Sequence, residues 1–199
     1  MQRATRWSAT LPDRRWVAAC ALALAALSGP GASAPARAQG APAAPAQSVV
    51  VAGQDDAEIR IELPAHPADA DLVALPPGPR ADLRFMVDAR SIRVQPGGEL
   101  LYTFVVIAPS GSRSVSHEQM RCESREWRLL AVAGTPPGNA SPRWTPARQP
   151  RWRLLPDGDA FGQRAVLHKD IFCPGRVAVA DAREAVAALR AGMHPRANP

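Results

Sequence analysis

The chain contains few of the side chains from which metal and redox centres are built. Its 199 residues include three cysteines and four histidines. Neither type stands at a ligand spacing such as Cys-x-x-Cys or His-x-x-x-His, and no Gly-rich phosphate-binding loop is present. Zinc centres, dithiol redox sites and metal-dependent catalysis therefore have no support, and we predict neither a metal nor another cofactor.

Long hydrophobic runs are also scarce. The longest uncharged apolar run, residues 16–27, has about 12 residues, whereas a helix needs roughly 20 to cross a bilayer. Arginines precede this run, and small residues follow it at the positions that a signal peptidase reads, Ala36 and Ala38. The pattern predicts a secretory signal peptide over residues 1–38, cleaved near Ala38. Cleavage after Ala34 is the alternative, which Pro35 disfavours.

Cys20 lies within this predicted leader. It follows three small or apolar residues, as in a lipoprotein cleavage box, but it stands near the start of the apolar run rather than at its end. We therefore expect Cys20 to be removed with the signal peptide rather than to carry a lipid.

A cleaved leader predicts a periplasmic mature chain, residues 39–199, without a transmembrane segment. The whole chain has a formal charge of +6, but five arginines and only one aspartate fall within residues 1–38. The basic balance is thus weak support for nucleic-acid binding, and we predict no nucleic-acid partner. Residues 39–81 are net acidic and residues 82–199 net basic. This asymmetry fits either an ordinary solvated surface or contact with an envelope protein or an anionic envelope component.

Composition divides the mature chain into three parts. Residues 39–81 are rich in alanine, proline and acidic side chains, which predicts a linker and an extended arm containing one short strand around Ile59 and Ile61. Residues 82–192 carry the periodic segments of a globular domain, and residues 193–199 form a C-terminal tail.

Within the predicted domain, strands come first and helices last. Residues 99–108 are the strongest strand and are apolar on both faces, which places them in the middle of a sheet. Tight turns separate them from strand-like neighbours. Residues 181–191 form the clearest helix, with Asp181 as its cap, and residues 161–172 can form another. We predict an α+β fold, a small antiparallel meander with one or two C-terminal helices.

Two cysteines remain after removal of the leader, Cys122 and Cys173. An even pair in an oxidising compartment predicts a disulfide bond, here one that connects the sheet to the chain before the last helix. The bond closes a loop of about 50 residues, and closing such a loop stabilises the fold by at most about 4 kcal/mol.

The most suggestive surface motif combines tryptophan with arginine. Indole rings stack on sugars, and guanidinium groups bind carboxylates or phosphates through paired hydrogen bonds. The candidate binding patch comprises Trp144, Trp152, Arg143, Arg148, Arg151 and Arg153. The alternative is that both tryptophans fill the core while the arginines extend to water.

His117 and Glu118 are the other candidates for chemistry. Neighbouring residues of a strand point to opposite faces, so the two cannot enter one pocket without a bulge. We expect His117 to face solvent. No nearby serine stands in a Gly-x-Ser-x-Gly elbow, so a hydrolase at this position is a third alternative only, and we assign no catalytic residue.

Several segments together resemble the cryptic-neisserial-protein-like family of exported proteobacterial proteins. The resemblance covers about residues 59–192. It is carried by Leu63-Pro64-Ala65-His66-Pro67, Phe85-Met86-Val87-Asp88, Tyr102-Thr103-Phe104-Val105-Val106, Arg121-Cys122 and Phe172-Cys173-Pro174. It implies a Gram-negative envelope protein with a single compact domain, and it implies no established activity.

These observations favour a periplasmic, non-enzymatic interaction or structural domain of the envelope. A binding module for an anionic glycan or lipid head group, acting through the tryptophan–arginine patch, is the alternative. Enzymatic activity is not expected.

Overall fold

The computed structural model describes residues 47–53, 57–77, 82–134, 142–155 and 162–197, all within one unit of the chain, residues 42–199. The predicted signal peptide and Phe161 lie outside the described residues. The strands are β1 Gln47–Ala52, β2 Glu58–Leu63, β3 Leu72–Ala74, β4 Arg84–Val94, β5 Glu99–Ile107, β6 Arg113–Arg121, β7 Glu126–Gly134, β8 Arg143–Pro146 and β9 Arg153–Leu154. The helices are α1 Gln163–Val166, which continues as a π-helix over Leu167–Phe172, and α2 Ala182–Ala191. Short 3₁₀ turns cover Asp69–Asp71 and Pro174–Arg176.

Seven strands form the main sheet, in the order β3-β4-β5-β6-β7-β8 with β9 beside β7. Every pairing is antiparallel and joins sequence neighbours except that of β9, which confirms the predicted meander. β4 is one continuous strand, Arg84–Val94, whose pairing with β5 is interrupted by a bulge between Asp88 and Arg93.

The turn between β5 and β6 fixes the register of the central strands. Gly111 adopts a φ of 82°, a left-handed conformation that glycine reaches without a steric penalty. Pairing then runs without interruption from Ile107↔Arg113 to Glu99↔Arg121. As a result Glu99 and Arg121 lie directly opposite each other at the far end of the hairpin.

The helices cover one face of the main sheet, here called the helix face. Asp181 accepts a hydrogen bond from the backbone N–H of Glu184, and Gly192 ends α2 with a φ of 77°, as the sequence predicts. Ala185, Ala188 and Leu189 of α2 are buried in the core that this face forms with the helices. Tyr102, Phe104, Met120, Phe172 and Ile171 are also part of this core.

The predicted disulfide bond joins Cys122, just after β6, to Cys173, at the end of the π-helix. Both cysteines are buried in the core of the helix face. The bond spans 51 positions in sequence, so it connects the sheet covalently to the helical part of the fold.

A separate hairpin, β1–β2, covers part of the opposite face, here called the hairpin face. Ile61 and Leu63 of β2 are buried against Leu130 and Ala131 of β7. The short strand predicted around Ile59 and Ile61 is β2, but it pairs with a second strand, β1, rather than lying in an extended arm. The apolar residues of β2 alternate with charged ones, so one face of the hairpin packs on the sheet while the other meets water. No helix among the described residues is long and apolar enough to span a membrane.

Candidate functional site

Glu118 is the most buried carboxylate of the helix face. Its side chain is fully enclosed, and it points from β6 towards α1. Both carboxylate oxygens accept hydrogen bonds: Tyr102 donates to one (3.0 Å), Ser116 to the other (2.6 Å), and Arg164 to both (2.8 and 2.6 Å). This is a bidentate, charge-assisted pairing with two supporting hydroxyl groups.

Aromatic rings enclose the Arg164 guanidinium, which lies 4.1 Å from the Trp127 ring and 4.9 Å from the Phe104 ring. Burial alone lowers the pKa of Arg164, but the hydrogen bonds and charge of Glu118 outweigh it, so the net pKa is raised. Burial, and then the neighbouring carboxylate, raises the pKa of Tyr102 well above its usual value. Arg164 therefore stays protonated, and both oxygens of its Glu118 partner accept hydrogen bonds from within the fold.

His117 points to the hairpin face, opposite to Glu118, as strand alternation predicts. The expectation that it faces solvent is wrong, because its side chain is 2% exposed. Its Nδ1 lies 3.4 Å from Thr103 Oγ1, and its Nε2 has no hydrogen-bond partner among the described residues. Burial lowers the pKa of His117 to about 4. The imidazole is therefore neutral near neutral pH.

A short chain of polar groups connects Thr103, the neighbour of His117, to the bulge of β4. Ser91 Oγ accepts a hydrogen bond from the Thr103 backbone N–H and donates to the Asp88 carbonyl oxygen. Burial raises the pKa of the Asp88 carboxyl group, which accepts from the backbone N–H of Arg90. The contacts of Asp88 and Ser91 hold the β4 bulge, and they give His117 neither a serine nor a carboxylate partner.

Trp144 of β8 covers His117. Their ring centroids are 6.0 Å apart in an edge-on arrangement, and the His66 ring lies 6.2 Å away on the same indole. The Trp144 indole N–H donates to the carbonyl of Pro64, just after β2 (2.8 Å). Trp144 thus attaches the end of the β1–β2 hairpin to the main sheet.

The remaining histidines also have structural partners. His168 is buried and its Nε2–H donates to the Cys122 carbonyl (2.8 Å), while burial lowers its pKa. His194 Nε2 lies 2.9 Å from a Glu184 carboxylate oxygen, which fixes the C-terminal segment on α2. Among the described residues, no group of three or more histidines, cysteines or carboxylates is arranged to hold a metal ion.

A groove of about 390 Å³ lies between β2 and the main sheet on the hairpin face. This volume falls within the roughly 300–1,000 Å³ that is usual for ligand sites. One wall is four consecutive residues of β2, Ile59 to Glu62, and the other is the turn of residues 95–97. The groove is also lined by Glu99, Leu101, Gln119, Arg128 and Leu130.

Polar side chains form a linked cluster at one end of this groove. Glu99 accepts hydrogen bonds from Gln119 and from Arg121 (2.7 Å to Arg121), and Gln119 in turn accepts from Arg128 Nε (2.8 Å). Both guanidinium groups lie over the indole of Trp152, at 3.8 Å for Arg121 and 4.3 Å for Arg128. We call these five residues the rim cluster.

The rim cluster contains one carboxylate and two guanidinium groups. Glu99 pairs with Arg121, whereas no described carboxylate lies within ion-pair distance of Arg128. Burial lowers the pKa of Arg128, the Glu99 charge opposes this, and the nearby Arg121 charge lowers it further. Stacking on an indole stabilises each guanidinium in its position by roughly 0.5–2 kcal/mol.

The predicted tryptophan–arginine patch is only partly assembled. Trp152 belongs to the rim cluster, and Trp144 belongs to the hairpin attachment instead. Arg151 donates to Gln149, and Arg153 lies 6.0 Å from the Trp127 ring. The other two members, Arg143 and Arg148, are exposed.

The arginines that do stack on Trp152, Arg121 and Arg128, were not among the predicted site residues. One signal could have indicated Arg121: the β5–β6 turn places it opposite Glu99. The contact of Arg128 with Trp152 has no comparable local signal.

Searches of curated proteins and of solved structures give no match to this chain. A family model, described as the CNP1-like family, matches residues 51–190, which is more than half of the chain. The match confirms the resemblance that the sequence motifs indicate, and it includes both cysteines, Glu118 and the rim cluster. The chain therefore belongs to the CNP1-like family.

Proposed function

We propose that the mature protein acts in the periplasm as a non-enzymatic interaction domain of the cell envelope. Family membership is compatible with this role and supplies no activity to transfer. The pattern of residues 1–38 supports export, and the Cys122–Cys173 bond is of the kind that persists in an oxidising compartment.

The observation on which the proposal rests is that Glu118 is enclosed and hydrogen-bonded within the fold. A general acid or base needs to reach the proton that it transfers. Glu118 is enclosed, and both of its oxygens are occupied by Tyr102, Ser116 and Arg164. A carboxylate held in this way stabilises a fold and is poorly suited to react with a substrate.

The geometry of His117 gives no support to a hydrolase. A serine or cysteine nucleophile requires a base within hydrogen-bond distance. His117 and Glu118 lie on opposite faces of β6, and the hydroxyl group that contacts the His117 ring is that of the buried Thr103. His117 and Glu118 are thus used internally, whereas the groove with its rim cluster presents polar groups at the surface.

Photo-crosslinking in living cells tests the interaction role. A photoreactive phenylalanine analogue replaces Glu62 beside the groove, or Val177 or Leu154, which are 59% and 72% exposed. We expect a discrete adduct with an envelope component from at least one position, and an N-terminus near Gln39 in the exported protein.

Two results would contradict the proposal. One is a set of crosslinking experiments in which no position yields an adduct although each variant is exported and folded. The other is a hydrolytic activity of the purified protein that disappears in His117→Asn while thermal unfolding is unchanged.

The rim cluster favours a second candidate function, the binding of an anionic glycan or lipid head group. Trp152 offers a stacking surface, and Arg128 offers a cation without a described carboxylate partner. Sedimentation with phosphatidylglycerol vesicles and affinity electrophoresis in polygalacturonate test this candidate. Binding that falls in Arg128→Gln but not in the exposed Arg148→Gln would support it, and equal binding of both variants would contradict it.

A further inference from the structure

The β1–β2 hairpin has a backbone edge that no described strand occupies. β2 pairs with β1 along one edge, and the two strands form a sheet of their own. The other edge of β2 borders the groove. Because successive side chains of a strand alternate in direction, a groove that touches four consecutive residues runs along the strand edge rather than over one face.

The alternation of hydrogen-bonded and non-bonded residue pairs along the hairpin shows which backbone groups face that edge. The Gly53 N–H donates to the Ala57 carbonyl (2.7 Å), so these two residues form a bonded pair. Bonded and non-bonded pairs alternate in an antiparallel ladder, which makes Val51↔Ile59 the next bonded pair. The backbone groups of Arg60 then point away from β1.

By the same alternation, Glu62 also directs its N–H and C=O away from β1. No backbone partner of Arg60 or Glu62 on the groove side occurs within the described residues. These two residues therefore offer donors and acceptors at strand spacing. Such an edge is a template on which a further strand can pair.

We propose that the groove binds one extended peptide segment of a partner protein, which adds a strand to the free edge of β2 and places a carboxylate beside Arg128. The proposal rests on the interaction role proposed above and specifies the partner chemistry. In a regular antiparallel ladder, alternate residues of the added strand exchange hydrogen bonds with Arg60 and with Glu62.

The groove floor defines the side chains of the bound segment. Leu101 and the buried Leu130 provide apolar contact, and Arg128 lies beside them. Alternate side chains of an added strand point towards this floor. The segment therefore carries apolar side chains at alternate positions and one carboxylate, from aspartate, glutamate or a chain terminus, at the Arg128 end.

A second copy of this chain fits the groove poorly. Antiparallel pairing of two β2 edges places both hairpins in one sheet, related by a twofold axis perpendicular to it. Each hairpin carries its own main sheet beneath the same face, through Ile61 and Leu63. The two main sheets would then compete for the space below the groove, whereas an isolated strand needs only the groove itself.

Selection from a phage-displayed random heptapeptide library on the purified full-length mature protein tests the proposal. We expect enriched sequences with alternating apolar residues and one acidic residue. Labelled synthetic peptides, amidated or with a free C-terminus, then give dissociation constants and distinguish a side-chain carboxylate from a terminal one.

Proline substitutions isolate the backbone contribution. Arg60→Pro removes an outward N–H without removing a β1–β2 bond, and we expect binding about tenfold weaker or more. Arg60→Thr retains the N–H and should bind like the parent protein. Val50→Pro is the matched control, because Val50 pairs with Arg60 and faces the outer edge of β1 instead.

Arg128→Gln isolates the charge contribution. We expect about tenfold weaker binding of the acidic peptide, and little change for the same peptide with its acid replaced by the amide. In NMR exchange experiments, the amide protons of Arg60 and Glu62 should become protected when the peptide binds.

The proposal is overturned if no sequence is enriched, if Arg60→Pro and Val50→Pro bind the selected peptide equally, or if the two amide protons stay unprotected. Concentration-dependent dimerisation that Arg60→Pro abolishes would overturn it in favour of a second copy. Adducts in cells from Val177 but not from Glu62 would leave the interaction role intact and remove the groove as its site. Peptide binding in vitro with no adduct from any position in cells would retain the groove as a peptide-binding site and contradict the interaction role.

Discussion

The two faces of the main sheet differ in how fully their polar groups are hydrogen-bonded within the fold. On the helix face, Glu118 is enclosed, and both of its oxygens accept hydrogen bonds from within the fold, including two from Arg164. On the hairpin face, the Arg60 and Glu62 backbone edge and the Arg128 guanidinium border an open groove. The comparison indicates that buried charge in this chain maintains structure, whereas incompletely used polar groups at the surface are where recognition is expected.

The attachments of the two faces differ as well. The helical part is connected to the sheet by a disulfide bond and a continuous apolar core. The hairpin depends on a smaller apolar cluster and on the Trp144–Pro64 hydrogen bond. Local opening should therefore cost less free energy on the hairpin face.

The largest effect is expected from Arg164→Ala, which leaves the Glu118 carboxylate enclosed without its cation. We predict a loss of about 3–5 kcal/mol in the free energy of unfolding, measured by urea denaturation. The double variant Glu118→Gln, Arg164→Met should recover much of this loss, because it removes both charges. A loss below about 1 kcal/mol in the single variant would break the proposed contrast between the faces.

The pH dependence of folding stability tests whether His117 is enclosed in solution. Its pKa is about 4 in the folded protein, against 6.5 for an unperturbed imidazole. The unfolded chain therefore binds the proton first, so folding stability is lost as pH falls from about 6.5 to 4. We predict a loss of about 3 kcal/mol from this group.

The matched variant His117→Leu should show a smaller loss between pH 7 and 4. Part of the loss should remain, because burial also lowers the pKa of His168 and of His66. Denaturation curves at several pH values measure both proteins. Identical slopes would show that His117 is not shielded from water in solution.

Trp144→Phe sharpens the comparison at the hairpin. The substitution retains an aromatic ring but removes the donor to the Pro64 carbonyl, so we predict a loss of about 1–2 kcal/mol. Amide exchange should accelerate in β1 and β2 more than in β5 or β6. Uniform acceleration throughout the sheet would mean that the hairpin and main sheet open as one unit.

The smallest effect on stability is expected from Arg128→Gln. This residue is partly buried, and its described partners are Gln119 and Trp152. We predict a change below about 1 kcal/mol in the free energy of unfolding, with the effect appearing in peptide affinity. A larger destabilisation would assign the rim cluster to the structure rather than to recognition.

Local signals predicted the parts of the fold that depend on near neighbours. The apolar pattern of β5 and the Asp181 cap of α2 each identify their element from a few adjacent residues. The cysteine pair predicts a contact across the fold only because just two cysteines remain after the leader. These features are sufficient to predict the α+β fold class.

The parts that were missed depend on which surface covers which. The expectation that His117 faces water is wrong because Trp144 of β8 covers its ring, and strand alternation alone does not show which residues pack on a face. The β-branched run of β1, Val49 to Val51, was a strand signal that the surrounding alanine and proline obscured. The pairing of Glu118 with Arg164 joins residues 46 positions apart, and no spacing in the sequence indicates it.

The candidate site shows the same division. Strand alternation correctly separated His117 from Glu118. Residue type identifies Trp152 as a candidate, but no spacing in the sequence indicates its contacts with Arg121 of β6 and Arg128 of β7. Contacts of that kind are set by tertiary packing rather than by local pattern.

The most direct test measures two quantities on one set of variants: the free energy of unfolding and the affinity for the selected heptapeptide. The set contains Arg164→Met with Glu118→Gln, Val50→Pro, Arg60→Pro and Arg128→Gln. If the faces are divided as described, the groove variants Arg60→Pro and Arg128→Gln lose affinity out of proportion to their stability, whereas the helix-face double variant and Val50→Pro bind normally while folded. Affinity that simply follows stability across all four proteins would contradict the account.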